Sequence, residues 1–206
     1  MRKNKIVIFT LITLLIVSAV SIGLNIKNAT NQNRIMRYMI NTSFYEAVDI
    51  SRSLDSLIVD VGNKAVVSED ARNTLTAISH SFVRLDTVLK QYATFFQPKG
   101  TTRNAYTGIL DFNFVSNTLI AGTGAVNDNP YNGILVDDFI SENEARYLAV
   151  LKEDIDLIIT AMASTDNPLQ ANQSITVYQM DNILSLFFSK WSYHNEDSPY
   201  FLLRAE

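Results

Sequence analysis

Oxygen donors are densest between Asn127 and Glu144. There NDNPYNG and VDDFISENE bring together Asn127, Asp128, Asn129, Asn132, Asp137, Asp138, Glu142 and Glu144. Carboxylates and amides on a turn containing Gly133 are what a hard cation such as calcium selects. The spacing does not follow the EF-hand loop, however, and acids just ahead of a helix are accounted for by its dipole alone. The segment Asp128 to Glu144 is therefore read as a capped loop, with no metal assigned.

Other chemistries have less support. His80 and His194 are the only 2 histidines, and neither belongs to an H-E-x-x-H or E-x-x-H pair. Cysteine is absent, which removes thiolate ligands, disulfides and a cysteine nucleophile together. The serines form neither G-x-S-x-G nor S-x-x-K, and AGTGAV lacks the Gly-Lys-Ser/Thr that completes a phosphate-cradling loop. EDID, Glu153 to Asp156, could supply an acid/base pair from its three carboxylates but reads better as the solvated face of a helix. Asn28, Asn41 and Asn172 head N-x-S/T triplets, a pattern too frequent by chance to carry weight. No catalytic, cofactor-binding or metal-ligating residue is assigned, and the chain is read as a non-enzyme.

Charge narrows the partners. The chain has 17 basic and 21 acidic residues among 206. Arg2, Lys3, Lys5 and Lys27 precede every acid, so the balance from residue 28 onward is 13 − 21 = −8. Phosphate backbones are gripped by Lys and Arg that displace counterions, so nucleic acid is not an expected partner.

The elements that position these groups begin with MRKNKIVIFTLITLLIVSAVSIGLNI. Residues 1–5 form a basic tail, and residues 6–26 an uncharged run that would span about 30 Å as a helix, the thickness of a bilayer core. Basic residues stay on the cytoplasmic side, so the remainder of the chain is expected outside. Cleavage at Ala19-x-Ser21 would release a secreted protein instead. The apolar character of Ile22, Leu24 and Ile26 beyond that site favours a retained signal anchor. NIKNATNQN has no apolar periodicity, and residues 27–34 are read as a polar linker.

Residues 35–206 read as an all-α body. Ile40, Phe44, Ala47, Ser51, Leu54, Ile58 and Val61 recur in steps of four and three, the period of a helix-bundle seam, closed by Gly62 as a C-cap. Ser68 caps a second helix with seam Ala71, Leu75, Ile78, Phe82, Leu85, Leu89, Tyr92 and Phe96, which ends ahead of Pro98. A third, weaker segment carries Ala105, Ile109, Phe112, Ser116 and Leu119. The fourth opens on the capping box Ser141 to Glu144 and carries Leu148, Leu151, Ile155, Ile158 and Met162. The fifth carries Val177, Met180, Leu184, Phe187 and Trp191. The apolar YFLL follows a polar turn. Short connections imply an antiparallel bundle of four to five helices.

Aromatic residues gather towards the helix ends: Phe95, Phe96, Tyr106, Phe112, Phe114, Phe187, Phe188, Trp191, Tyr193, Tyr200 and Phe201. Broad apolar stripes of this kind are ordinary core, although they also suit an interhelical pocket. The expectation is a membrane-anchored, extracytoplasmic helical interaction, scaffold or regulatory module with a protein partner at the membrane surface, compatible with a homo-oligomer. The competing expectation is a small-molecule sensor whose aromatic-lined pocket signals through a partner.

Overall fold

The structure is a computed structural model that describes residues 2–63, 68–96, 112, 115–120, 122, 133–134, 140–191 and 199–203. The side chains of residues 2–12, 60–63, 92–96, 177, 188, 200 and 201 lie outside that description. The described chain is all-helical, with no strand. Helix α1 is Arg2–Asn63, α2 Glu69–Phe96, α3 Glu142–Met162 and α4 Val177–Lys190, and a 3-10 helix covers Pro199–Leu203. Residues 115–120 are also helical.

The chain divides into two compact units, Met1–Tyr38 and Met39–Glu206. In the first, residues 13–34 are all exposed, apolar and polar alike. Its residues open α1, the one described helix long and apolar enough to cross a membrane. The stretch expected as a linker, residues 27–34, is helical and belongs to α1. No proline interrupts it, and Thr30 Oγ1 returns a 2.9 Å hydrogen bond to the Ile26 carbonyl. Missing periodicity there reports the lack of a buried face, not the lack of a helix.

The second unit holds the core. Ile40, Phe44, Ala47, Ile50, Leu54 and Leu57 of α1 are buried. The expected seam holds as far as Leu54. Beyond it Leu57 is buried while Ile58 is half-buried. A straight helix of 3.6 residues per turn drifts off a strict 3.5-residue repeat, and the buried stripe moves round with it. The helix ends at Asn63, one residue past the Gly62 expected to close it. Val61 lies outside the described side chains.

Each later helix has a chemical start signal. Ser68 Oγ accepts from the Ala71 amide at 3.0 Å at the head of α2, where Glu69 and Asp70 meet the positive end of the dipole. Ala71, Leu75, Ile78, Phe82, Leu85 and Leu89 are buried. Ser141 and Glu144 form the expected capping box, with bonds of 2.6 and 3.2 Å, and Leu148, Leu151, Ile155, Ile158 and Met162 are buried behind it. A second box, Thr176 with Gln179, opens α4. Met180, Leu184, Phe187 and Trp191 form its buried edge.

Between α3 and α4, residues 163–176 are held by their own amides. An isolated bridge pairs Ala163 with Ala171, and the Asn172 amide donates to the Met162 carbonyl at 2.8 Å. Gln173 Nε2 reaches Asn41 Oδ1 on α1 at 2.5 Å. Gly122 and Gly133 sit at positive φ, 77° and 87°, where a side chain would be strained. The YFLL stretch belongs to the 3-10 helix, which packs on α3 with Leu203 buried.

Candidate functional site

The most organised group of side chains is a run of stacked rings. Phe82 of α2 meets Phe112 at 5.8 Å between ring centroids, and Phe112 stacks on Phe187 of α4 at 4.9 Å and 11°. Phe187 stacks on Trp191 at 5.6 Å and 12°, and Tyr147 of α3 closes the run edge-on at 5.3 Å and 80°. All of these rings are buried. Offset and edge-on pairs at such separations add roughly 0.5–1.5 kcal/mol each beyond their area. Burial also pushes the Tyr147 hydroxyl pKa well above its ordinary value, since a phenolate would be desolvated there.

The run ends on a carboxylate. Asp154, 6% exposed, lies within the helix-borne EDID stretch. Its Oδ2 accepts from Trp191 Nε1 at 2.7 Å, and its Oδ1 accepts from Lys190 Nζ at 2.8 Å. The expectation that EDID forms a solvated face is thus corrected for this residue, while Glu153 is exposed. Tyr147 and Asp154 are seven residues apart, so both project from the same flank of α3. That heptad spacing was the available signal for the buried acid.

The opposite flank of α3 carries a second polar node. Asp156 accepts from Ser51 Oγ of α1 at 2.6 Å and from Lys152 Nζ at 2.6 Å. Lys152 also meets Asp55 of α1 at 3.2 Å. The bond to Asp156, first, and that to Asp55 raise the Lys152 pKa against a smaller opposing effect of burial. Between α1 and α2, Arg84 Nε donates to Glu46 Oε1 at 2.8 Å, and its Nη2 to Ser81 Oγ at 2.7 Å. The bond to Glu46 raises the guanidinium pKa further. A buried hydroxyl pair, Ser79 with Ser116, ties α2 to residues 115–120.

The residues singled out from the sequence are not assembled into a metal centre. His80 is exposed on α2 and Glu142 is exposed at the head of α3, while Glu144 is committed to the capping box. Asn127, Asp128, Asn129, Asn132, Asp137, Asp138 and His194 lie outside the described residues, as do Ala105, Tyr106, Ile109, Phe114 and Tyr193. Among the described residues no three His, Cys, Asp or Glu side chains come together as a cation would require. What the described geometry supplies is recognition between helices, through ring stacking and crossed polar pairs. Compared with known protein families, curated proteins and solved structures, the chain matches none of them.

Proposed function

We propose that this chain is a membrane-anchored, extracytoplasmic helical bundle that serves as a non-enzymatic interaction, scaffold or regulatory module of a membrane-associated complex. The observation that carries the reading is the division of α1. Between Thr13 and Ile26 its Leu, Ile and Val side chains are exposed, whereas from Met39 to Leu57 every turn carries a buried residue. The exposed ones belong to the uncharged run from Ile6 to Ile26, which is long enough as a helix to span a hydrocarbon core. Arg2, Lys3 and Lys5 favour a cytoplasmic N-terminus and an external body.

The antiparallel arrangement is supported by pairs that step in opposite directions along neighbouring helices. Ser51 and Asp55 of α1 meet Asp156 and Lys152 of α3. Ser79 and Phe82 of α2 meet Ser116 and Phe112. The interaction reading is preferred to the ligand-sensing one because the described core rings lie on one another. Affinity purification of the full chain from detergent-solubilised membranes is expected to recover a specific companion at fixed ratio. Protease added outside intact cells is expected to degrade the body. Recovery of the lone monomer, with the body protected until lysis, would overturn the proposal.

A further inference from the structure

Between Ile26 and Glu46 the charged residues are Lys27, Arg34 and Arg37, with no acid among them. All three are exposed, and all belong to the part of α1 that lies in the first compact unit. None of them enters an ion pair with a described side chain. Lys27 and Arg34 are seven residues apart and Arg34 and Arg37 three, so the three cations share one flank of the helix. Like charges a turn apart weaken an isolated helix, and no Asp or Glu stands within a turn of them on α1 to offset that. The chain beyond is of the opposite sign. Arg2, Lys3, Lys5, Lys27, Arg34 and Arg37 precede every acid, so the balance from residue 39 onward is 11 − 21 = −10.

We infer that this basic flank binds the anionic phosphate headgroups of the bilayer that holds the preceding apolar run, an inference that rests on the membrane-anchored reading above. Position and charge together select the occupant. Lys27 directly follows Ile26, the last residue of the uncharged run, so it stands at the edge of the hydrocarbon. At the rise of a helix, Arg34 and Arg37 stand about 12 and 17 Å beyond Ile26. The polar layer of one leaflet is about 5–8 Å deep, and its field reaches roughly 8 Å further at physiological salt. Helical side chains lean towards the N-terminus, so the long stems of both arginines bend back towards the bilayer. Arginine takes a phosphate through two parallel N–H donors, and lysine meets it as a point charge. An acidic protein would suit the same cations. The headgroups, however, are brought beside Lys27 by the chain itself and need no further contact to arrive there.

The absence of cysteine makes the test direct. Asn31→Cys places a single fluorescent label between Lys27 and Arg34. The full chain is reconstituted in phosphatidylcholine vesicles carrying a small, equal fraction of either nitroxide-labelled phosphatidylglycerol or nitroxide-labelled phosphatidylcholine. Quenching by the anionic lipid is expected to exceed quenching by the neutral one about fivefold, the preference given by one cation at a charged surface. The excess is expected to fade in high salt. Lys27→Gln, Arg34→Gln and Arg37→Gln combined should bring the ratio to one, whereas Arg2→Gln, Lys3→Gln and Lys5→Gln combined should leave it unchanged. Equal quenching by the two lipids in the parent chain overturns the inference and leaves membrane anchoring standing. An excess that survives the change at residues 27, 34 and 37 overturns it as well. So does an acidic companion protein that this change releases while the lipids quench equally. A chain that stays outside the vesicles, with its label quenched by neither lipid, removes the anchored reading and the inference together.

Discussion

Asp154 and Asp86 are almost equally buried, at 6% and 5% exposure, yet they are held in different ways. Asp154 spends both oxygens on the next helix and its end, one on Lys190 and one on the indole of Trp191. Asp86 spends one oxygen on Lys90, a turn away on its own helix. Its other oxygen has no partner among the described residues. A carboxylate bonded across two helices fixes their register. One bonded within a helix bears the cost of desolvation without that return. Burial accordingly raises the Asp86 pKa, and Lys90 only partly offsets the effect. The contrast assigns Asp154 a positioning role and marks Asp86 as a locally unfavourable choice in the same core.

The largest expected effect comes from taking away the indole. Trp191→Ala removes a fully buried ring that stacks on Phe187 and meets Tyr147, and it strands one oxygen of Asp154. Large-to-small aromatic substitutions cost roughly 3–5 kcal/mol from the cavity alone. A loss of about 5 kcal/mol in urea denaturation, followed by circular dichroism, is expected once the stranded oxygen is included. A loss no greater than about 1 kcal/mol, the size expected of surface changes, would mean that the stacked rings are not the core.

Asp154→Ala should come next, at about 3 kcal/mol. Breaking a buried ion pair costs roughly 3–5 kcal/mol, and the lower end applies because Lys190 is half-exposed and can turn to water. Trp191→Phe isolates a smaller part of the same node. Most of the stack is kept, while the bond to Asp154 and part of the buried ring volume are lost, for an expected loss of about 2–3 kcal/mol. Should Trp191→Phe prove as damaging as Trp191→Ala, the hydrogen bond rather than the stack would dominate, and the difference between the two aspartates would be sharper still.

Sequence periodicity made most of this core legible, and the physical reason is plain. Apolar side chains at steps of three and four have one way to hide together, so Ala71 through Leu89 and Leu148 through Met162 are buried where expected. Caps were legible where a short polar side chain precedes the apolar run, as at Ser68 and Ser141. The polar stretch at residues 27–34 was not legible, because an exposed helix leaves no apolar imprint. Asp154 was missed because a charge is ordinarily read as solvated. Its burial depends on a tryptophan 37 residues later, a contact that single-helix periodicity does not encode. The Thr176–Gln179 box escaped notice although both residue types were in view. Its position four residues ahead of Met180 would have placed the start of α4.

The smallest expected effect tests the other half of the comparison. The folded-state pKa of Asp86 lies above its ordinary value, so the folded chain holds this proton more tightly than the unfolded chain does. Between the ordinary carboxylate pKa and the raised one, stability therefore falls as pH rises. Above the raised value the full penalty is present, and on acidification through that window it is relieved. Asp86→Asn removes the titration. It also removes the ion pair with Lys90, whose side chain is half-exposed, and such a pair contributes at most about 1 kcal/mol. The variant should thus be no less stable than the parent at pH 7. Its advantage should shrink as the pH is lowered through the carboxylate range, read as the difference in urea midpoint at each pH. An advantage that grew on acidification would reverse the sign required by a desolvated carboxylate. A clear loss of stability at neutral pH would show that Asp86, like Asp154, is held by more than its own helix.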